Sequence, residues 1–361
     1  MGQNRRRPGM RLLVGDIGGT NARFRLLEGE GQQWCLRHQS SWPSTRFESL
    51  EALIEELTAC FSSLERVTID EAWLAVAGPV HGSRVTFTNL PWRADAHALA
   101  ARFGWGRAFL VNDLQALAHA VPALGPRDLA PVQQGQCGND THLVIAVGTG
   151  LGVATYRVSD QGADVFASEG GHTDFIPTTP THFRLLEYLR EHYSHASQER
   201  VLSGAGLADL YRFVCREHVC APDPAITEAT DPAATVNQQA ASGHAPMALD
   251  TMELFAELLG RFAGNAALFS AAFGGVYLAG GVATRLHPYL TGTRFRQTFQ
   301  DKGRMKPIMN QVPVWTITST DVGLNGITAL GTRYAVTGTP IAPCPVDSST
   351  ASSPEEASWI R

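Results

Sequence analysis

Residues 13–24 read LVGDIGGTNARF, an apolar run that leads into an acidic, glycine-rich turn. After the turn, residues 23–26 alternate polar and apolar side chains, and this period of two predicts a strand, not a helix. The order differs from the Walker P-loop, which places Gly-Lys-Ser/Thr before a helix, and from the dinucleotide motif Gly-x-Gly-x-x-Gly. Backbone N–H groups of such a turn can bind a phosphate, because glycine permits close approach. The segment alone is equally compatible with an ordinary hairpin.

The same pattern recurs in the second half of the chain. An apolar run at 143–147 is followed by GTGLG at 148–152 and by VATY at 153–156. A third apolar run, at 276–279, ends in Gly280-Gly281. The two strand–turn–strand units form a weak internal repeat, which is expected if two related domains face one another across a cleft.

Periodicity elsewhere predicts an α/β fold with mixed sheets. Residues 221–246, rich in Pro, Ala and Thr, are interpreted as a surface loop, and His182, His192 and His195 are assigned to the surface. The predicted helices are 45–65, capped by Thr45 and Glu48, one from about 113, 181–193, 250–273 with a cap from Asp250 and Glu253, and 324–335; the predicted strands are 11–15, 23–27, 72–77, 84–88, 108–111, 143–147, 153–156, 276–279 and 314–317.

Composition narrows the class of protein. The 361 residues are 44% hydrophobic and 17% charged, which is enough apolar material for two domains and too little charge for a disordered chain. A net charge of −5 argues against a nucleic-acid partner. No transmembrane run and no secretory signal are expected, so a membrane partner is not predicted. The six dispersed cysteines lack a Cys-x-x-Cys pair and indicate reduced thiols in a cytoplasmic protein.

Asp16 lies beside the first glycine turn. A carboxylate next to a phosphate-binding turn makes sense if a divalent cation lies between them, because bare like charges repel. Asp16 is therefore a candidate Mg²⁺ ligand, through water. The alternative is a solvated turn aspartate.

Asp113 follows an apolar run, in the sequence LVNDLQALA at 110–118. One interpretation makes Asp113 the N-cap of the helix that follows. The other makes it a general base that accepts a hydroxyl proton as the oxygen attacks a γ-phosphate. Both can hold, since ligands of α/β folds bind at the carboxyl ends of strands.

Residues 168–175, SEGGHTDF, are dense in hydrogen-bonding groups. Glu169 accepts hydrogen bonds and His172 can accept or donate, a pairing suited to the adjacent hydroxyls of a sugar. Glu199 is one more candidate carboxylate for the same ligand. The alternatives are a polar turn with a bystander histidine and, for Glu199, a solvent-facing helix end.

Taken in order, these segments resemble bacterial glucokinase, the ATP-dependent hexokinase of the actin-like/hexokinase superfold, from about Arg11 to Arg333. Further matching motifs are TNLPW at 88–92, ERVLSGAGL at 199–207, GRFAGNAAL at 260–268 and DKGR at 301–304. The chain lacks the cysteine-rich zinc motif of the related repressor/kinase group, and Leu90-Pro91 depart from the family's pattern at the edge of the sugar pocket. The resemblance implies an α/β, two-domain actin-like ATPase/hexokinase fold with mixed sheets flanking a central cleft.

The resemblance also implies domain bounds and site residues. Residues 1–10 are expected to be flexible, 11–122 plus about 317–336 to form the small domain, 123–316 the large domain, and 337–361 a disordered tail. Asp113 is implied as the catalytic base. The implied sugar ligands are Asn89, Asn112, Asp113, Glu169, His172 and Glu199. The implied ATP-binding residues are Gly15, Asp16, Gly18, Gly19 and Thr20 in the first turn, Gly148, Thr149 and Gly150 in the second, and Gly280 and Gly281 near the adenosine.

The function expected from this resemblance is phosphorylation of D-glucose at its 6-hydroxyl with ATP and Mg²⁺, by a cytoplasmic homodimer. A kinase for another hexose, or one that uses polyphosphate, keeps the same fold. A sugar-sensing regulator is a further alternative, but it requires a DNA-binding module, and there is no room for one before Arg11.

Overall fold

The structure is a computed structural model that describes residues 9–62, 68–159 and 162–337. The stretches 1–8 and 338–361, which cover most of the predicted flexible N-terminus and tail, lie outside the described residues. Of the helices described, none is both long enough and apolar enough to cross a bilayer.

A five-stranded mixed sheet, the first sheet, holds the N-terminal glycine turn. Its strands run in the order β3-β2-β1-β4-β8. The alternation after the turn produces the predicted strand, because Ala22, Phe24 and Leu26 point into the core while Arg23 and Arg25 remain partly exposed. The strands are β1 (Met10–Ile17), β2 (Asn21–Glu30), β3 (Gln33–Pro43) and β4 (Glu71–Val76), and, after a small sheet of β5 (Val80–His81), β6 (Arg84–Thr86) and β7 (Arg93–Asp95), β8 (Arg107–Asn112).

Three parallel strands of the first sheet end at the same edge. Ile17 of β1 pairs with Val76 of β4, and Val76 pairs with Asn112 of β8. The first glycine turn, which follows Ile17, and Asp113, which follows Asn112, therefore lie at the same edge of the sheet, where α/β folds bind their ligands.

A six-stranded mixed sheet, the second sheet, holds the other two glycine clusters. Its strands run in the order β12-β11-β10-β13-β14-β9. Val147 pairs with Leu151 across the second turn, and Ala146 pairs with Ala279, so the second turn and Gly280 lie at one edge. The strands are β9 (Leu129–Gln133), β10 (Thr141–Val147), β11 (Leu151–Ser159), β12 (Gly162–Ser168), β13 (Gly275–Ala279) and β14 (Val314–Ile317).

Twelve α-helices occur among the described residues. They are α1 (Leu50–Ser62), α2 (Ala96–Phe103), α3 (Asp113–Ala120), α4 (Pro180–His192), α5 (Gly204–Glu217), α6 (Pro224–Thr227), α7 (Pro232–Ala241), α8 (Pro246–Phe269), α9 (Gly281–Leu290), α10 (Thr293–Gln300), α11 (Lys306–Met309) and α12 (Val322–Thr337).

Three predictions of local structure are wrong, two at the start of a helix and one over a predicted loop. The helix predicted from Thr45 begins at Leu50, because the hydroxyl of Ser49 accepts the N–H of Ala52 at 3.1 Å and caps it. The helix predicted from Asp250 begins at Pro246, where proline's missing N–H costs nothing. The predicted loop 221–246 contains α6 and α7, whose N-caps Asp223 and Asp231 are each followed by proline at the first helical position.

Helices α3 and α12 both pack against the first sheet, and α3 also packs against the second sheet. On α3, Ala116 packs with Val14 and Trp73 of the first sheet, whereas Leu114 and Ala118 pack in a cluster with strand residues of the second sheet. Helix α12 returns from the end of the second sheet and packs its leucines and Ile327 against β1 and β4. Asp113, the first residue of α3, is thereby held between the two sheets.

Candidate active site

The first glycine turn is fixed by three hydrogen bonds. The N–H of Gly18 donates to the carbonyl of Asn21 at 3.0 Å, which closes the turn. From the end of β3, the hydroxyl of Ser44 donates to the carbonyl of Gly18 at 2.7 Å, and the N–H of Ser44 donates to the carbonyl of Thr20 at 2.8 Å. Thr20 is exposed, and both glycines are partly exposed. Because the carbonyls of Gly18 and Thr20 are already paired, the turn can present backbone N–H groups to a ligand, which suits an anion.

Asp16 is a partly exposed carboxylate with two further carboxylates near it. Burial raises its pKa to about 6, the Arg23 guanidinium opposes this, and the nearby carboxylates of Asp113 and Asp321 add to it. No residue of the described part of the chain donates a hydrogen bond to the Asp16 carboxylate, and a Cβ at Gly323 would lie 2.8 Å from its Oδ2. A cation would relieve this charge.

The single carboxylate of Asp16 suits Mg²⁺ better than it suits a metal whose ligands all come from the protein. Mg²⁺ is typically held by one or two carboxylates together with substrate phosphates and water. Within the described ranges, no three His, Cys, Asp or Glu side chains gather in a metal-binding group. Asp16, beside a turn suited to phosphate, supplies the one carboxylate that such a Mg²⁺ site needs.

The second glycine turn is fixed from a different part of the chain. Its own closure is the bond from the N–H of Gly148 to the carbonyl of Gly150, 3.0 Å. The N–H of Gly204, at the start of α5, donates to the carbonyl of Gly148 at 2.8 Å, and Glu199 Oε2 accepts the N–H of Leu151 at 2.9 Å. Thr149 stands exposed at the tip.

Gly280 lies against β10, the strand that precedes the second turn. It has a φ of +93°, and a Cβ at this position would lie 2.3 Å from the carbonyl oxygen of Val147. Only glycine fits such a conformation and such a close approach. Gly281 is exposed and opens α9, so unpaired N–H groups of that helix's first turn lie beside the second glycine turn.

The N-cap of α3 is Asn112, so the interpretation of Asp113 as the cap is wrong. Asn112 Oδ1 accepts the N–H groups of Leu114 at 3.0 Å and Gln115 at 3.3 Å, and its Nδ2 donates to the carbonyl of Gly78 at 3.2 Å. Strand β8 ends at Asn112, which leaves Asp113 as the first helical residue. Its Oδ1 accepts the N–H of Leu114 at 2.8 Å.

Burial raises the pKa of Asp113, although hydrogen bonds from its own helix turn oppose the rise. A carboxylate with a raised pKa is a stronger base toward a hydroxyl. Asp113 therefore has the environment of a general base, and its backbone is held by the cap that its neighbour supplies.

The structure brings Glu169, His172 and Glu199 together. His172 lies between the two carboxylates, with Nε2 3.8 Å from Glu169 Oε2 and Nδ1 3.9 Å from Glu199 Oε1. Glu169 and His172 are exposed, whereas the Glu199 side chain is 29% exposed. Two acceptors and one imidazole at this spacing can bind vicinal hydroxyls.

Asn89 lies over the first turn. A Cβ at Gly19 would lie 3.0 Å from Cβ of Asn89, so the two residues are in close contact. The loop that carries Asn89 is held by the N–H of Phe87, which donates to the carbonyl of Trp92 at 3.0 Å, and by the edge-on packing of these two rings.

Sequence reasoning missed several supporting residues. Ser44 and Asp321 contribute through tertiary contacts, and the only sequence signal for Asp321 is its place between a strand and a helix. His195 is exposed, as predicted, but its Nε2 lies 3.1 Å from the carbonyl of His172. His182 was assigned to the surface and is buried, with Nε2 3.1 Å from Glu257 Oε1, because α8 covers that face of α4.

Solved structures define the class. Two mixed sheets, each with a glycine hairpin, and a helix packed against both form the actin-like hexokinase fold. A glucokinase from an Antarctic psychrotroph is similar at a TM-score of 0.76 and 32% identity, over 89% of this chain and 98% of that one. A glucokinase from Balamuthia mandrillaris, solved in complex with glucose, is similar at 0.75 and 25%, over 89% and 93%.

Sequence comparison gives the family. The glucokinase family pattern matches residues 13–333. The glucokinase of Marinobacter nauticus is 38% identical over 87% of this chain and 95% of its own length, and that of Hahella chejuensis is 36% identical over 87% and 94%. The chain belongs to the glucokinase family, which confirms the predicted family, fold and enzyme class.

Proposed function

We propose that the chain transfers the γ-phosphoryl group of ATP to the 6-hydroxyl of D-glucose, with Asp113 as the catalytic base. The observation that carries the residue assignment is the placement of Asp113, with its raised pKa, at the sheet edge that also holds the first glycine turn. Family membership supports the reaction, and the solved glucokinase neighbours include a complex with glucose.

In the proposed reaction, Asp113 accepts the proton of the 6-hydroxyl while that oxygen forms a bond to the γ-phosphorus. The bond from phosphorus to the β,γ-bridging oxygen breaks, and the products are glucose 6-phosphate and ADP. A positioned base contributes about 10²–10⁴-fold to such a rate. Asn112 supports the base by fixing the start of α3, and the second hydrogen on its Nδ2 is available to a sugar hydroxyl.

The sugar is proposed to lie against Glu169, His172 and Glu199, with Asn89 at the edge of its site. Once a bound sugar covers them, polar groups that match one set of hydroxyls reject a mismatched sugar, because some of their hydrogen bonds are then lost. The nucleotide phosphates are proposed to bind at the two glycine turns, formed by Gly15, Asp16, Gly18, Gly19 and Thr20 and by Gly148, Thr149 and Gly150, through the backbone N–H groups that the turns leave unpaired. Gly280 and Gly281 are proposed to lie near the adenosine. Asp16 would hold Mg²⁺ through water, and the cation would offset the charge of the phosphates.

We further propose that residues 11–122 with 317–336, and residues 123–316, form the two domains that close around the substrates. The packing of α12 on β1 and β4 supports this division. Binding sugar would then exclude water and limit hydrolysis of ATP. We also propose that the protein is a homodimer and that it lies in the cytoplasm. The cytoplasm contains ATP, and its reducing conditions agree with the free thiols of Cys35, Cys137, Cys215 and Cys220.

The test is a coupled ADP-release assay over a panel of hexoses, with ATP and polyphosphate as alternative donors. We expect glucose with ATP to give the highest kcat/KM. Asp113→Asn should lower kcat by about 10²-fold or more while calorimetry shows that glucose still binds. Near-full turnover of a folded Asp113→Asn protein would reject Asp113 as the base, and a preference for another hexose or donor would reject the substrate assignment.

A further inference from the structure

One short segment, residues 197–204, contacts both the sugar cluster and the second glycine turn. At its first end, the N–H of Gln198 donates to the carbonyl of Thr173 at 2.8 Å, and the N–H of Glu199 donates to the carbonyl of Gly171 at 2.9 Å. At its other end, the N–H of Gly204 donates to the carbonyl of Gly148. The segment thus joins the loop of Glu169 and His172 to the turn at Gly148.

The side chain of Glu199 makes the same connection through a single carboxylate. Its Oε2 accepts the N–H of Leu151, the residue that follows the turn, and its Oε1 faces His172 Nδ1 at 3.9 Å. Glu169 differs in this respect. Its carboxylate is 84% exposed and faces the same imidazole at 3.8 Å, but it makes no hydrogen bond with the turn in the part of the chain that the structure describes.

We infer that Glu199 couples the sugar site to the second phosphate turn, so that glucose binding and nucleotide binding favour one another. The inference rests on the proposed function for the identity of the two ligands. A hydroxyl that binds Oε1 restrains the whole carboxylate, and the restrained Oε2 holds the Leu151 N–H and the turn in one geometry. Because coupling between two sites is reciprocal, nucleotide on the turn restrains Glu199 for the sugar.

The geometry of the turn offers a matched pair of variants. A Cβ at Gly150 would lie 2.6 Å from Glu199 Oε2, so Gly150→Ala must displace that carboxylate. A Cβ at Gly148 would meet no atom within 4 Å, so Gly148→Ala leaves Glu199 in place. Both substitutions lie on the turn assigned to the nucleotide, and only one of them reaches the sugar site.

The first experiment measures glucose affinity by calorimetry without any nucleotide. We expect Gly150→Ala to raise the Kd for glucose by about tenfold or more and Gly148→Ala to leave it within about twofold. Circular dichroism verifies that both variants fold. Equal glucose affinity in the two variants would overturn the inference.

The second experiment measures coupling itself, as the ratio of the Kd for AMPPNP without and with saturating glucose. We expect a wild-type ratio of at least about 5, the low end of usual coupling factors. Glu199→Ala should bring it within about twofold of 1, while Glu169→Ala weakens glucose binding and keeps the ratio. A ratio near 1 in the wild type, or a wild-type ratio in Glu199→Ala, would overturn the inference.

A third measurement needs no variant. Glucose alone should slow hydrogen exchange in a peptide that contains the Leu151 amide, since that N–H is bound by Glu199; unchanged exchange would count against the coupling. Failure of the proposed function has a different signature, because it appears as absent turnover with glucose and ATP. The coupling ratio and the hydrogen exchange are both measured without turnover, so they test the inference separately from the proposed function.

Discussion

The two glycine hairpins share a backbone plan and differ in the carboxylate that supports them. At the first turn, Asp16 comes from the strand that precedes the turn, is partly exposed, and its carboxylate accepts no hydrogen bond from the described residues. At the second turn, Glu199 comes from a segment about fifty residues further along the chain and accepts the N–H of Leu151. The charge of the Asp16 carboxylate is therefore available to a cation, whereas the Glu199 carboxylate is already hydrogen-bonded to the backbone of the turn.

Each turn also contacts one residue of the predicted sugar site, but by a different kind of contact. Gly19 lies against the Cβ of Asn89, which is a van der Waals contact, whereas Leu151, the residue after Gly150, donates its N–H to the charged Oε2 of Glu199. A hydrogen bond to a charged group is stronger and more directional than dispersion between two carbons. The second turn is therefore better placed to respond to the sugar, and the first to hold the cation and phosphates.

The largest expected effect comes from removing the charge at the first turn. Asp16→Asn should lower kcat by about 10²–10³-fold, the range seen when one preorganised electrostatic group is lost, and raise the Mg²⁺ concentration needed for half-maximal rate. Steady-state kinetics over a Mg²⁺ titration measure both. Glu199→Gln is the comparison, and its main effect should be on the KM for glucose. Turnover of Asp16→Asn within about threefold of the wild type would remove the distinction between the turns.

The same residue should make the stability of the ligand-free protein depend on pH. The pKa of Asp16 is raised from 3.8 to about 6, so between these values the folded state keeps a proton that the unfolded state loses. The free energy of unfolding should fall as pH rises through this window and level off above it, by up to about 3 kcal/mol at about 1.4 kcal/mol per pKa unit. Urea unfolding at a series of pH values from pH 3.5 to pH 8, which spans the window, measures it. In Asp16→Asn this part of the slope should disappear; an unchanged slope would assign it to other groups.

A smaller effect is expected where the third glycine pair supports the second turn. Gly280→Ala should lower the free energy of unfolding by at least about 2 kcal/mol, because alanine is strained at positive φ and would clash with the Val147 carbonyl. The KM for ATP should rise with it. Gly281→Ala is the control, since its Cβ would first meet Arg285 Nη2 at 3.7 Å. Equal stabilities of the two variants in thermal unfolding would show that the turn tolerates movement of β10.

The smallest effect is expected at the contact between the first turn and Asn89. Gly19→Ala should raise the KM for glucose by only about two- to fivefold, because a carbon contact at 3.0 Å relaxes by a few tenths of an ångström. This is less than the change expected for Gly150→Ala. Glucose titrations of the two variants side by side measure the difference, and a larger effect of Gly19→Ala would reverse the roles assigned to the two turns.

Local patterns in the sequence were sufficient for the framework of the site. The apolar runs before Gly18, Gly148 and Gly280 are strands, and the alternation at 23–26 is a strand, because a period of two has one structural solution when one face is buried. The sequence was less informative where two signals compete. Thr45, Asp250 and Asp113 all resemble caps, yet the caps of α1 and α3 are Ser49 and Asn112, and α8 begins at Pro246 without a side-chain cap. The stretch 221–246 looked like a loop because its Asp-Pro pairs mark both turns and helix starts.

By itself, then, the sequence determined which segments are strands and glycine turns, and the ordered motifs determined the family. Only the tertiary structure decided which distant residues meet: Glu199 with Leu151, Ser44 with Gly18, and Gly323 with Asp16. The physical reason is one of range. Strand period and turn chemistry are properties of neighbours in the chain, while the charge environment of Asp16 and the double contact of Glu199 arise from segments that approach one another only when both sheets are packed.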